Sequence, residues 1–174
     1  MKYLVKIFVV TFFLVFSTHA FAEQKIVVLD MKFVLNKSSA GKDAQEYLKK
    51  KFNDNAKKFT KFEDSLKKEE KDLLKAKADL TKEEYKKKSD TLRKKVIDYQ
   101  SQRRSSIDKL GAKRIKAREI LMKQVNPIID TYINENDISL VIDKKNMIGG
   151  LNEYDITNLI VEKLNKEFPS INLE

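Results

Sequence analysis

The sequence predicts a mostly α-helical protein in which a long antiparallel hairpin, similar to a coiled coil, stands on a small body with short strands. Three observations predict this fold. A highly charged stretch from Ala40 to Ala78 lacks proline and spaces its apolar residues three or four positions apart, which is the helical period. A helix-start signal follows at Thr81, and short β-branched segments flank the helical region.

The two flanking segments are alike. Residues 25–29 (KIVVL) and 138–142 (ISLVI) are apolar, and each ends at an aspartate, Asp30 or Asp143. Short β-branched runs of this kind are typical of buried strands. After the first strand, Ser38 and Ser39 are candidate caps for the long helix.

The hairpin follows from the apolar stripes on either side of a capping signal. Thr81 and Glu84 have the spacing of a capping box, so a second helix begins near Lys82 and packs antiparallel to the first. Residues of the two stripes form the hairpin seam or face a bound partner, and the candidates are Phe52, Phe59, Phe62, Leu66, Tyr85, Leu92, Val96 and Tyr99.

The stripe of the second helix weakens at residues 102–106 (QRRSS), which include Arg103 and Arg104. Gly111 follows, and a glycine inside a helix costs stability. We predict a hinge at Arg103, Arg104 and Gly111.

Past the hairpin, Pro127 predicts a kink or the return of the chain into the body, because proline cannot donate a backbone hydrogen bond. Asp155 is a candidate cap for a last helix. The apolar residues of that helix are expected to face inward: Ile156, Leu159, Ile160, Val161 and Leu164.

The N-terminus has the pattern of a secretory signal peptide. Lys2 and Lys6 precede an apolar run at residues 7–16, and Ala20 and Ala22 form a small-residue cleavage pattern. The run is too short to span a membrane, which takes about 20 apolar residues. We therefore expect cleavage after Ala22 and a soluble periplasmic protein.

These signals divide the chain into three parts. Residues 1–22 are the predicted signal peptide, residues 41–126 the helical hairpin, and residues 23–40 with 127–174 the β-containing oligomerisation body. A body this small rarely supplies more than about 3–5 kcal/mol of stability unaided. The body is therefore expected to complete its core with other copies of the chain.

The composition argues against an enzyme. The chain contains no cysteine, only four glycines, and a single histidine, His19, which leaves with the signal peptide. Thiol nucleophiles, histidine bases and most zinc sites are thereby excluded from the mature chain, as are glycine-rich phosphate loops. We expect no catalytic residues, no metal site and no cofactor.

The net charge of +10 leaves other binding functions open. A basic nucleic-acid-binding protein is one alternative, but the signal peptide opposes it, and we expect no nucleic-acid partner. A structural coiled-coil protein of the cell envelope is the other alternative. It would need an uninterrupted seam, whereas this seam is interrupted.

The order of parts resembles the Skp/OmpH family of periplasmic chaperones. The resemblance rests on KIVVLDMKFVLNKSSAGKDAQEYLKKKF near the start, a lysine-rich hairpin, and DISLVID with YDITNLIVEKLN near the end. It implies a homotrimer whose hairpins surround a cavity and hold unfolded outer-membrane β-barrel proteins without ATP. It places Ile26, Val28, Leu140 and Ile142 in the shared body. Some members also have a proposed lipopolysaccharide site, so anionic membrane lipid or lipopolysaccharide is a further candidate partner.

Overall fold

The computed structural model describes residues 24–173. Its elements are, in chain order, strand β1 (Lys25–Leu29), helix α1 (Met31–Lys37), helix α2 (Ser39–Lys75), a 3₁₀ turn (Ala76–Ala78), helix α3 (Lys82–Glu135), strand β2 (Ile138–Asp143), 3₁₀ turns at Lys144–Asn146 and Asn152–Tyr154, and helix α4 (Thr157–Glu167). The predicted mostly helical fold with a small β component is confirmed. We call α2, α3 and the turn between them the arm.

Strands β1 and β2 pair in parallel, with Ile26 opposite Leu140 and Val28 opposite Ile142. Parallel strands need a long crossover connection. Here the whole arm is that connection. One face of the strand pair packs on the core through Val27, Leu29 and Val141.

The core lies where both ends of the arm meet the short helices. Val34 of α1, Val125 of α3, and Ile160 and Leu164 of α4 are fully buried. One predicted inward position is wrong: Leu159 is 37% exposed, because the buried positions of α4 recur every four residues from Ile156 and leave Leu159 beside that stripe. Val161 is half-buried against the core.

The start of α2 is fixed by a buried serine. Ser38 caps the helix as predicted, and its hydroxyl oxygen accepts the Gly41 backbone N–H at 3.2 Å. Gly41 lies so close to α1 that a Cβ there would stand 2.0 Å from the Leu35 carbonyl oxygen. The Ser39 N–H donates to the Asn165 side chain at 2.7 Å, which ties the base of the arm to α4.

At the tip of the arm the predicted capping box is present. The Thr81 hydroxyl oxygen accepts the Glu84 N–H at 3.2 Å, and the Glu84 carboxylate accepts the Thr81 N–H at 3.0 Å. Hydrogen bonds from the backbone and hydroxyl of Thr81 lower the pKa of Glu84 below 4.5. Helix α3 begins at Lys82, where the sequence predicts it.

Helix α3 continues through Pro127 to Glu135. Pro127 itself is exposed, whereas Val125 and Ile128 on either side of it are buried in the core. The proline therefore lies where the helix enters the body, on the side away from the core, where the absent N–H removes one helical hydrogen bond.

Asp155 links α4 to the strands. Its carboxylate accepts the Thr157 N–H at 2.9 Å and pairs with the Lys144 ammonium at 2.5 Å, and the Ile156 N–H donates to the Val28 carbonyl at 2.9 Å. Burial raises the pKa of Asp155, but the hydrogen bonds from Lys144 and Thr157 lower it more, so that it lies below the usual 3.8.

The two arm glycines should respond oppositely to alanine. Gly41→Ala should destabilise the protein by about 2–3 kcal/mol, because the new Cβ overlaps backbone atoms of α1. Gly111 has open space around it, so Gly111→Ala should stabilise by about 0.5–1 kcal/mol. Urea unfolding at one fixed protein concentration measures both. Equal effects of the two substitutions would contradict this account.

The Asp155 contacts should make stability depend on pH. A carboxylate whose pKa is lowered by folding stabilises the protein above its unfolded pKa, and this contribution is lost as pH falls through the folded value. The melting temperature of Asp155→Asn should therefore lie below that of the parent at pH 7, with a gap that closes below about pH 3.8. Thermal melts of Lys144→Gln and the double variant measure the coupling. A gap that does not narrow as the pH falls below about 3.8 would refute the assignment.

Candidate functional site

An aromatic cluster holds the middle of the arm together. The ring of Tyr99 on α3 meets Phe59 and Phe62 of α2 edge to face, with centroids 5.9 and 5.4 Å apart. The Tyr99 hydroxyl donates to the Glu63 carboxylate at 3.3 Å. Hydrogen bonding and charge from Lys67, together with this hydroxyl, lower the pKa of Glu63.

Contacts along the arm establish that its helices are antiparallel. Lys95 pairs with Glu69 at 2.6 Å near the tip, and Lys113 reaches Tyr47 at 2.8 Å near the base. The later the contacting residue lies in α3, the earlier its partner lies in α2. This is the order that the predicted hairpin requires.

The structure sorts the predicted seam residues by burial. Phe59 and Leu66 are buried at 7% exposure, whereas Phe52 is 60% exposed. The remaining candidates are half-buried, namely Phe62, Tyr85, Leu92, Val96 and Tyr99. The predicted stripe therefore contains true seam residues and at least one residue that is free to meet a partner.

The seam separates two unlike grooves. The apolar groove is lined by Phe52, Ala56, Phe59, Tyr99, Ile107 and Leu110, with Arg103 and Glu63 at its rim. The basic groove is lined by Lys51, Lys58, Lys109 and Lys113, with serines and Gln102 between them. The two grooves share Asn55, Phe59, Ser106 and Leu110 along the seam, and the helical period places their other lining residues on opposite flanks of it.

The apolar groove contains two large side chains that the arm leaves unpacked. Phe52 is 60% exposed and Ile107, facing it from α3, is 61% exposed. Ile107 was not among the seam or partner candidates predicted from the sequence. Its exposure depends on how the two helices are rotated about their axes relative to each other. That rotation is a tertiary property.

The predicted hinge residues lie within one unbroken helix. Arg103 and Arg104 are exposed, and nothing lies within 4 Å of a Cβ placed on Gly111. Gln102 is half-buried and donates to Asp98 of its own helix at 2.8 Å. Compliance at these positions stays a prediction.

On the outer face of the strand pair, apolar side chains are left uncovered. Ile26 is 39% and its neighbour Leu140 is 51% exposed, whereas Val28 is buried and Ile142 is half-buried. The loop before α4 adds Ile148 and Leu151, which are 109% and 64% exposed. The Gly149-Gly150 pair predicts a turn or a short strand here, but the sequence did not predict that these two apolar side chains would be exposed.

The predicted cleavage residues Ala20 and Ala22 lie outside the described residues. Within residues 24–173, none of the helices is both long and apolar enough to span a bilayer. In the same range no three acidic, histidine or cysteine side chains gather closely enough to bind a metal ion.

Comparison with known proteins decides the family. The model of the family described as outer membrane protein (OmpH-like) matches residues 25–164. The chain belongs to the OmpH-like family. This confirms the resemblance seen in the sequence, and the match includes both strands, the whole arm and most of α4.

A solved structure supports the same fold for this OmpH-like chain. It is an OmpH-like protein of Caulobacter crescentus, described provisionally as an outer membrane chaperone. The TM-score is 0.81 at 19% sequence identity, over 90% of this chain and 92% of the other. No curated protein sequence matches the chain significantly.

Substitutions of two phenylalanines of α2 distinguish a seam residue from a residue of the groove surface. Phe59→Ala should lower the free energy of unfolding by about 3 kcal/mol, since it removes a buried ring from the seam. Phe52→Ala should change it by less than about 0.5 kcal/mol, since that ring is mostly exposed. Urea unfolding followed by circular dichroism makes the comparison. Similar losses for both would place Phe52 in the seam.

Proposed function

We propose that the protein is a periplasmic holdase chaperone that binds unfolded outer-membrane β-barrel proteins between its arms and prevents their aggregation without ATP. One observation carries the proposal: Phe52 and Ile107 stand exposed in the apolar groove of a strongly basic arm. Exposed apolar patches on a folded chain mark interaction sites. The provisional description of the Caulobacter crescentus protein supports the same function.

The chemistry of the groove suits an unfolded client. Such a client exposes alternating apolar residues and unpaired strand edges, which otherwise aggregate. Phe52 and Ile107 offer shallow apolar contacts, while Arg103 in the same groove and the lysines of the basic groove attract acidic segments over about 8 Å at physiological salt. Contacts of this kind hold many sequences without selecting one.

A homotrimer is part of the proposal. The outer face of the strand pair, with Ile26, Leu140 and the half-buried Ile142, would be covered by neighbouring copies, whereas Val28 of the shared body is already buried within one copy. A second copy is the occupant favoured by the exposed apolar residues Ile148 and Leu151 next to so small a core. Three arms would then enclose the client, with the predicted hairpin, residues 41–126, standing free and residues 23–40 and 127–174 forming the shared body.

The alternative is a structural coiled-coil protein of the envelope. It accounts for the long arm but not for the exposed residues of the apolar groove, which a tight seam would bury. Anionic membrane lipid or lipopolysaccharide stays a candidate additional partner, for which the basic groove is the better surface.

The native mass of residues 23–174, alone and mixed with a urea-diluted outer-membrane barrel protein, tests the function. We expect a trimer that gains the mass of one client and keeps the mixture clear. A monomer, or a trimer beside a precipitating client, would leave the structural coiled-coil protein as the better account.

Matched variants test the apolar groove within that experiment. The double variant Phe52→Ser/Ile107→Ser should weaken client retention about tenfold or more, since each lost apolar contact is worth about 1 kcal/mol or more. The control Ile97→Ser/Ile115→Ser alters α3 residues that are 59% and 62% exposed but line neither groove. Equal losses in the two double variants would show that the groove has no special role.

A further inference from the structure

Residues 168–173 form a tail that returns from α4 to the base of the arm. This segment lies beyond the part of the chain that matches the family model, residues 25–164. It contains no helix or strand. Even so, Leu173 is only 5% exposed and Ile171 is half-buried. The contacts that bury these two residues define a site on the arm.

The tail packs with alternating residues. Ser170 and Asn172 face solvent, while Ile171 and Leu173 face the protein. An alternation of period two is the pattern of an extended chain lying on a surface. Ile171 contacts both the body core and the arm base, and Leu173 packs with Ala44 and Ala117 of the two arm helices.

A lysine of α3 fixes the backbone of the tail. The Lys113 ammonium donates to the Leu173 carbonyl oxygen and, at 2.8 Å, to the Tyr47 hydroxyl oxygen. It also lies 5.0 Å from the centre of the Tyr47 ring. Lys113 therefore recognises a carbonyl group, which every polypeptide offers, next to a small apolar floor.

We propose that this arm-base site, formed by Ala44, Tyr47, Lys113, Ala117 and Ile120, binds extended segments with alternating apolar residues, and that residues 170–173 occupy it as an internal mimic of such a segment. The identification of the segments as strands of unfolded barrel proteins rests on the proposed function. Those strands alternate apolar and polar residues in the same way.

The covalent connection to α4 explains how the tail can occupy the site in the free protein and still be displaced by another segment. Phe168 and Pro169 join the tail to α4, and so short a connection keeps its end near the site at an effective concentration in the millimolar range. A weak two-residue contact is then mostly closed in the free protein. A client strand that brings several apolar residues, and is itself held in the arm, can displace it.

Binding of a free tail peptide tests the proposal without any client. The probe is the fluorescent peptide Pro-Ser-Ile-Asn-Leu-Glu, residues 169–174, added to the full chain and to a variant that ends at Phe168. We expect the shortened variant to bind the peptide at least about tenfold more tightly by fluorescence anisotropy, because the competing tail is absent. Methyl resonances of Ala44 and Ala117 should shift on binding.

Two controls define the chemistry of the site. A peptide of the same composition with its isoleucine and leucine adjacent should bind at least about fivefold more weakly, since only one apolar side chain can face the floor at a time. Lys113→Met in the shortened variant should weaken binding about tenfold, as expected for the loss of a hydrogen bond from a charged donor. Circular dichroism and native mass verify that each variant is folded.

The outcomes separate this proposal from the proposed function. A folded shortened variant that ignores the peptide would make the tail a permanent structural strap and overturn the arm-base site. Peptide binding that is indifferent to the order of residues would overturn the alternating-ligand assignment. Aggregation of a client beside the full chain, with peptide binding intact, would refute the chaperone function and leave the arm-base site standing.

Discussion

The structure depends on the parallel pairing of β1 and β2, because this pairing forces the chain to leave the body and return to it. A parallel pair cannot be closed by a tight turn. The chain leaves through Gly41, packed on the Leu35 carbonyl, and returns through Val125, which is fully buried. The two ends of the arm are therefore part of the core. The strand pair and the core therefore join residues that lie on both sides of the arm in the sequence.

Burial along the arm is graded from base to tip. Ala44, Ala117 and Leu121 are buried at the base, and Phe59 and Leu66 are buried further out. From Lys67 round the tip to Lys116, no residue is buried. In that part, ion pairs such as Lys95–Glu69 join the two helices. Exposed pairs of this kind contribute about 0–1 kcal/mol each to stability. Local opening should therefore be easiest at the tip.

Local signals carried most of what the sequence predicted correctly. The capping box at Thr81, the Ser38 cap and both strands depend on neighbouring residues, so they can be recognised without the fold. The exposure of Phe52, Ile107 and Leu159 could not be predicted, because it depends on how each helix is rotated against its neighbours. The docking of Leu173 was missed for a related reason: four residues of alternation are too few to predict an element, and their partners lie on distant helices.

The proposed function asks the arm to stay hydrated and yet to offer apolar surface to a client, and the two grooves meet both requirements. Charged side chains surround the seam, so the helices remain hydrated along most of their length even though Phe52 and Ile107 stay exposed. The apolar side chains occupy one side of the seam and the lysines the other. Apolar contact decays within a few ångströms, whereas charge attracts over about a Debye length of 8 Å. Under the proposed function, a client would be attracted first by the basic surface and retained afterwards by the apolar groove.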